Sequence, residues 1–402
     1  MRDGWVETSL GEIAEVIGGG TPSTTIPEYW KGDIVWLTPT EITSQDGKVV
    51  LDSIRKITDL GFKNSGAQML PKDSVILTSR ASVGYVALAG QDLCTNQGFQ
   101  SLIPKQSVLA KFLMFWIQQN RSEFASRSAG STFKEISKSN VKSIKIELPP
   151  LPEQKRIVDL ISSVDSYIEA LQQQLESTKR SRNAVLHELL TGGGDGYKEV
   201  KLSDVTDLIT DGSHFSPKTT DHGIPYVTVR DIKDGFLDLD NAARINEDSY
   251  LELEKNGCRP LPNDILFSKD GTVGKVALVV DAERFVVLSS LAIIRSTNSV
   301  ILPKFLALTM SSSEFQRNAI GSKTGLAIKR IVLKHLRDLR IKVPSIAEQQ
   351  RIIEIVSEID LLISCNLKVL AESKKLRTGL LSDLLSGEHE IPASYDKVIG
   401  AA

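Results

Sequence analysis

The strongest constraint on this chain is that part of it is written twice. Residues 148–192 align without a gap on residues 343–387 at a constant offset of 195, and 15 of the 45 pairs are identical. In the first copy the identical positions are Pro149, Glu153, Gln154, Arg156, Ile157, Ser162, Asp165, Ile168, Leu175, Lys179, Arg182, Leu186, Leu189, Leu190 and Gly192. Register held over that length marks a duplicated structural unit. The preceding segments match more loosely. WVETSLGEIAEVI near the start pairs with YKEVKLSDVTDLI from Tyr197, and LPKDSVILTSRASVGYVAL pairs with LPNDILFSKDGTVGKVAL after one gap. The chain therefore holds two globular parts of one fold, different in detail, each followed by the same kind of segment. If they read something, they read different things.

The repeated segment has a helical seam. Apolar residues recur in alternating steps of four and three at Ile157, Ile161, Val164, Ile168, Leu171 and Leu175, and at Ile352, Val356, Ile359, Ile363, Asn366 and Leu370 in the second copy. That spacing predicts a coiled-coil stripe that needs a partner helix. The seam continues through Thr178, Arg182, Val185 and Leu189, and through Ser373, Arg377, Leu380 and Leu384. Pro150 and Pro152 precede Glu153 at one helix start, Ser345 and Glu348 form a capping-box pattern at the other, and Gly192 and Gly387 stop both helices. Glu153 to Leu190 makes a rod of about 57 Å at 1.5 Å per residue. Asn366, Arg182 and Arg377 break the apolar trend, either to fix register or because that stretch is frayed and solvated. The simplest closure packs the two helices antiparallel, so that a direct repeat presents itself like a two-fold symmetric dimer.

The globular parts read as mixed α and β. Short apolar or alternating runs such as DIVWLTP, SVILTS, VKSIKIEL, IPYVTV, DILFS and KVALVV predict strands, and KFLMFWIQQNRSEF and PKFLALTMSSSEFQ predict helices. The expected class is α+β: two similar mixed domains joined by two long helices in an antiparallel coiled coil. The expected divisions are 1–148, 149–192, 193–343 and 344–388, with 389–402 as a flexible tail.

A net charge of −2 argues against a nucleic-acid partner unless a basic face is local. Such faces occur late in each domain. Residues 121–145 carry six cations against two carboxylates, and 323–342 carry seven against one. Matching basic stretches fit phosphate contacts, whereas one alone would read as a solvated face. Polar loops supply the candidate contacts: Thr21 and Ser23 in GGGTPST, and His214, Ser216 and Lys218 in DGSHFSPK. Thr132, Lys134 and Lys138 follow Gly130, and Lys323, Thr324, Lys329 and Arg330 follow Ser322. SRASVG and SKDGTVG place Arg80 and Ser82, and Lys269 and Thr272, before a glycine. Arg80 and Lys269 are read as matching positions, in loops that either touch DNA or are hairpins whose Gly84 and Gly274 serve backbone geometry alone.

No catalytic or metal constellation is expected. GGGTPST lacks the Gly-Lys-Ser/Thr of a phosphate loop, no Asn/Asp-Pro-Pro-Tyr motif occurs, and the five histidines are scattered. Cys94, Cys258 and Cys365 lie far apart, as reduced thiols would. A charged start at Met1-Arg-Asp-Gly-Trp5, and no apolar stretch of membrane-spanning length, lead to the expectation of a cytoplasmic protein.

The doubled plan resembles the specificity subunit of type I restriction-modification systems, a family of phage defence. The resemblance covers almost the whole chain and is carried by Pro-Pro-Leu-Pro-Glu-Gln-x-Arg-Ile at Pro149 to Ile157, by Gly130 to Ile136 before it, and by the second copy. It implies a non-catalytic subunit whose two target-recognition domains each read half of a split sequence in double-stranded DNA, while the helices set the gap. It also implies modification subunits, two of them, docked on the helices and holding S-adenosylmethionine, and restriction subunits that use ATP and Mg. The second helix start departs from the pattern at Ala347 and Gln350, where the first has Pro152 and Lys155. The competing reading is a coiled-coil interaction scaffold without DNA specificity.

Overall fold

The computed structural model describes residues 4–129, 134–192, 196–233, 235–280, 282–321 and 330–399. They form two compact units, residues 1–170 with 370–402 and residues 171–369, so each unit holds one domain and a part of both long helices.

In the first unit a five-stranded sheet runs in the order Ala14–Gly18, Gln100–Pro104, Val75–Leu77, Val86–Ala89, Val49–Val50, antiparallel except for its last pair. A three-stranded sheet places Trp30–Leu37 between Arg55–Ile57 and Cys94–Thr95. The helix Ala110–Gln119 is apolar all round, and Phe112 to Ile117 are all buried, as its unbroken FLMFWI run requires. The second unit repeats the plan. Thr206–Asp211, Leu291–Ser296, Ile265–Ser268 and Val276–Leu278 form an antiparallel sheet, Ile224–Val227 lies between Ala243–Ile245 and Val286–Val287, and Pro303–Ser311 is the buried helix. In each unit the opening strand pairs antiparallel with the strand that precedes the long helix, Val6 opposite Leu148 and Lys198 opposite Val343. That clasp accounts for the matching WVETS and YKEVK segments.

The long helices run Leu151–Thr191 and Ile346–Leu385. Within the first unit Ile157 and Ile161 share a core with Leu381, Leu384 and Leu385, while Asp165 pairs with Arg377. Rising numbers on one helix meet falling numbers on the other, so the pair is antiparallel. Leu186 and Leu190 meet Ile352 and Val356 in the second unit, and Arg182 pairs with Asp360, with the same sense. Both arginines bind in bidentate fashion, with Nη2 to Oδ2 distances of 3.0 Å to Asp165 and 3.1 Å to Asp360. Arg182 and Arg377 are therefore paired rather than frayed. Asn366 is different: its Nδ2 is buried and finds no acceptor among the described residues.

Ile157, Ile161, Ile168, Leu171, Leu175, Ile352, Val356 and Leu370 are buried, and Val164, Ile359, Ile363 and Asn366 are half-buried. Beyond Arg182 the structure departs from the expected spacing, because Leu186 and Leu190 are buried while Val185 and Leu189 are only half-buried. A helix of 3.6 residues per turn drifts from a 3.5-residue repeat, and one residue of slip after four heptads is that drift.

Two further details differ from expectation. At Ser345 only half of the capping box forms: its Oγ accepts from Glu348 N at 3.3 Å, but the Glu348 carboxylate takes Arg351. Within the tail expected to be flexible, Ile391 is buried and Asp396 of the helix Tyr395–Ile399 is in a bidentate pair with Arg156 at 2.8 Å.

Candidate nucleic-acid interface

In each unit three distant segments converge on one surface, and in each the backbone sets the positions. In the first unit they are the loop 19–25, the turn 79–84 and the residues around Glu135. Gly19 and Gly20 pass so close to Thr95, Asn96 and Gly66 that a Cβ at either position would meet backbone within 2.0–2.4 Å. Gly19 and Gly20 are thus packing requirements and not parts of a phosphate loop. Beyond it two indoles hold the loop, Trp36 Nε1 donating to Gly20 O at 2.9 Å and Trp30 Nε1 to Ser23 O at 3.0 Å. The Arg55 guanidinium lies 3.7 Å above the Trp30 ring. Thr21 and Ser23 stand exposed on this fixed frame, the Thr21 hydroxyl donating to Gln97 and the Ser23 hydroxyl 2.8 Å from that of Thr25.

The turn is equally determined. Thr78 Oγ1 donates to Ser82 O and accepts from Tyr85 N, Ala81 takes φ +59°, and Ser79 N donates to Gly98 O. Arg80 and Glu135 face each other as a backbone bridge and as an ion pair of 2.9 Å. Lys134 O accepts from Ala81 N, while the Lys134 and Lys138 side chains are exposed.

In the second unit Ser268 Oγ donates to Thr272 O and accepts from Lys275 N, Gly271 takes φ +73°, and Lys269 N donates to Ser290 O. Bond for bond, Ser268 is the counterpart of Thr78, Lys269 of Ser79, Asp270 of Arg80, Gly271 of Ala81 and Gly274 of Gly84. Arg80 and Lys269 are therefore not matching positions; the equivalence is displaced by one residue. The backbone bridge Asp270 to Arg330 replaces Arg80 to Glu135, so the same latch is closed with its charges exchanged. Lys269 is also unlike an exposed contact, being 2% exposed and paired with Asp211 and Asp270.

The loop after Asp211 carries His214, Phe215, Ser216 and Lys218, all exposed. Ser213 Oγ donates to Phe215 O at 2.6 Å and accepts from Phe215 N at 3.1 Å, which holds a 67% exposed phenylalanine outward. Phe215 escaped sequence reasoning because a single aromatic in a polar loop has no period. Thr272 is exposed and Ser82 half-buried. Thr132, Lys323, Thr324 and Lys329 lie outside the described residues.

The basic stretches are less available than their counts suggest. Arg121 pairs with Asp46 and stacks 4.1 Å from the Tyr85 ring centre, Arg127 takes Glu123, and Arg340 takes Glu199. Lys138, Lys142, Lys145, Lys334 and Lys342 are exposed. Among the described residues no cluster of His, Cys, Asp and Glu is arranged to hold a metal ion. Burial pushes the Cys94 thiol up to about 12, far from a reactive thiolate.

Each domain is fastened to its long helix by a buried glutamine. Gln154 Oε1 accepts from Leu109 N at 2.9 Å, and its Nε2 donates to Ser107 O and Pro149 O. Gln349 makes the same three bonds to Leu302, Val300 and Pro344. The repeated glutamine therefore has a mechanical meaning, and its identity in both copies is the visible signal.

The profile of the type I restriction modification DNA specificity domain matches the chain twice, over residues 2–179 and 194–372. The chain belongs to the type I restriction-modification specificity family. The MjaIX specificity subunit of Methanocaldococcus jannaschii is 28% identical over 96% of this chain and 93% of its own length. The EcoKI specificity subunit of Escherichia coli is 25% identical over 99% and 95%. Among solved structures, a chain from a study of type I complex assembly and conformational transition aligns over 96% of this chain and 98% of its own, with a TM-score of 0.65 at 19% identity. The S subunit from M. genitalium aligns over 95% and 96%, with a TM-score of 0.53 at 15% identity. A doubled DNA-specificity domain decides against a scaffold without DNA specificity, and places this chain among recognition subunits rather than catalytic ones. No helix among the described residues is long and apolar enough to cross a membrane.

Proposed function

We propose that each unit of this specificity subunit reads one half of a split duplex target. The first would use the loop 19–25, the turn 79–84 and Lys134 with Lys138. The second would use the loop 211–218, Thr272 and Arg330. The observation that carries this reading is one rigid three-segment frame built twice, with different exposed groups on each copy: Thr21 and Ser23 in one, His214, Phe215, Ser216 and Lys218 in the other. A common frame with different tips recognises two different sequences in one manner. Phe215 offers an apolar face suited to a thymine methyl, and the exposed hydroxyls and cations suit base edges and phosphates. The helices set the unread gap and dock two modification subunits, whose S-adenosylmethionine does the methyl transfer. Restriction subunits using ATP and Mg complete the complex.

The test is methylome sequencing of cells that carry this chain with its modification subunit. A single split motif is expected, and exchange of residues 21–25 for 214–218 should change one half of it. A continuous motif, or a change in both halves at once, refutes the proposal.

A further inference from the structure

We infer that Lys269 is a positioning residue for the second unit: its ammonium joins the segments that carry the exposed loops, and the fidelity of the second half-site depends on it. This rests on the split-target reading and deepens it. A lysine 2% exposed needs counter-charge close by, because an unpaired buried ammonium is costly. It has two such partners, Asp270 Oδ2 at 3.1 Å and Asp211 Oδ2 at 3.4 Å. Asp211 ends a strand at the root of the loop 211–218 and also faces His214 Nε2 at 3.2 Å. Asp270 turns its other oxygen to Arg330 Nε at 3.0 Å. The backbone of Lys269 is held as well, with its N–H on Ser290 O and its carbonyl accepting from Ile331 N. One run of polar contacts, His214, Asp211, Lys269, Asp270, Arg330, its charges alternating from Asp211 to Arg330, thus ties together segments far apart in the chain.

The first unit lacks this node. Gly20 N bonds to Thr95 O as Ser213 N does to Val287 O, which makes Gly18 the counterpart of Asp211. Ser79 replaces Lys269, and its buried hydroxyl has no partner among the described residues. The Arg80–Glu135 latch there is a surface pair, 46% and 40% exposed, with no buried cation fixing its polarity. In the second unit the polarity is fixed, since a cation at position 270 would face the Lys269 ammonium.

The test uses the full chain with its modification subunit, scoring methyl transfer to duplexes of the mapped target that carry one base change in either half-site. For Lys269→Met, discrimination over the second half-site falls about tenfold or more, the size of one lost base-reading contact, while the first half-site is unchanged. Asp270→Asn shifts it in the same direction, and it decides the matter if thermal melting shows that Lys269→Met does not fold. Unchanged second-site discrimination in Lys269→Met, or equal loss at both half-sites, overturns the assignment. A wild-type complex that methylates a continuous target would instead overturn the split-target reading.

Discussion

Gln154 offers a direct measure of how firmly the first domain is seated on its helix. Its amide is wholly buried and makes three bonds, to Leu109 N, Ser107 O and Pro149 O. Gln154→Leu keeps most of the volume and removes all three. Ser107 is exposed, so its carbonyl can turn to water, but Pro149 is buried and Leu109 half-buried. A buried donor left without a partner costs about 1–3 kcal/mol and the buried carbonyl somewhat less, so the loss is about 2–4 kcal/mol. For a unit of this size that lowers the melting point by about 4–16 °C. The assay is unusually selective, because all four tryptophans, Trp5, Trp30, Trp36 and Trp116, belong to the first unit. Intrinsic fluorescence therefore follows that unit, while far-ultraviolet circular dichroism follows both. Gln154→Leu should move the fluorescence transition, whereas Gln349→Leu should move the circular dichroism transition more than the fluorescence one. A fluorescence midpoint unchanged in Gln154→Leu would refute the argument that this side chain is the fastening.

Other outcomes follow from the same contacts. A double-mutant cycle on Asp165 and Arg377, whose side chains are 38% and 20% exposed, should give a coupling of about 0.5–1 kcal/mol in urea denaturation; zero coupling would mean the pair is incidental. Alanine at Lys134 and Lys138 together should weaken duplex binding for every sequence and lower the slope of log affinity against log salt by about 2. Asp396 is held below the ordinary carboxylate range by its hydrogen bonds to Arg156. Its contact is therefore complete above that range and lost as pH falls through the lowered value, which hydrogen exchange of residues 395–399 would show; Asp396→Asn should open the tail already at neutral pH. Removing one matched heptad from both long helices should shorten the gap by about 10 Å, or three base pairs, without changing either half-site, as methylome sequencing would report.

The parts legible in the sequence are those whose signal is local or repeated. The seam residues Ile157 to Leu175 announce a helix because their spacing is periodic, and the duplicated block 148–192 announces two equivalent units because both copies keep one register. The turns 79–84 and 268–274 were visible as glycine turns, yet their alignment was misplaced by one residue. Only the backbone bonds from Ser79 to Gly98 and from Lys269 to Ser290 show which positions correspond. Charge counts misled for a related reason: Arg121 and Arg340 look available in the sequence but meet Asp46 and Glu199, each far away along the chain.

Sequence alone determined that the chain is two related halves, that each ends in a long helix, and that the heads vary more than the helices. Periodicity and repetition are properties of neighbouring residues, and they survive without a structure. Tertiary structure decided what each charge is for. In the sequence Lys269 is one more cation beside a glycine; in the fold Asp211, 58 positions earlier, lies against its ammonium at 3.4 Å. Electrostatic meaning depends on distance and burial, and those are set by the fold rather than by the order of residues.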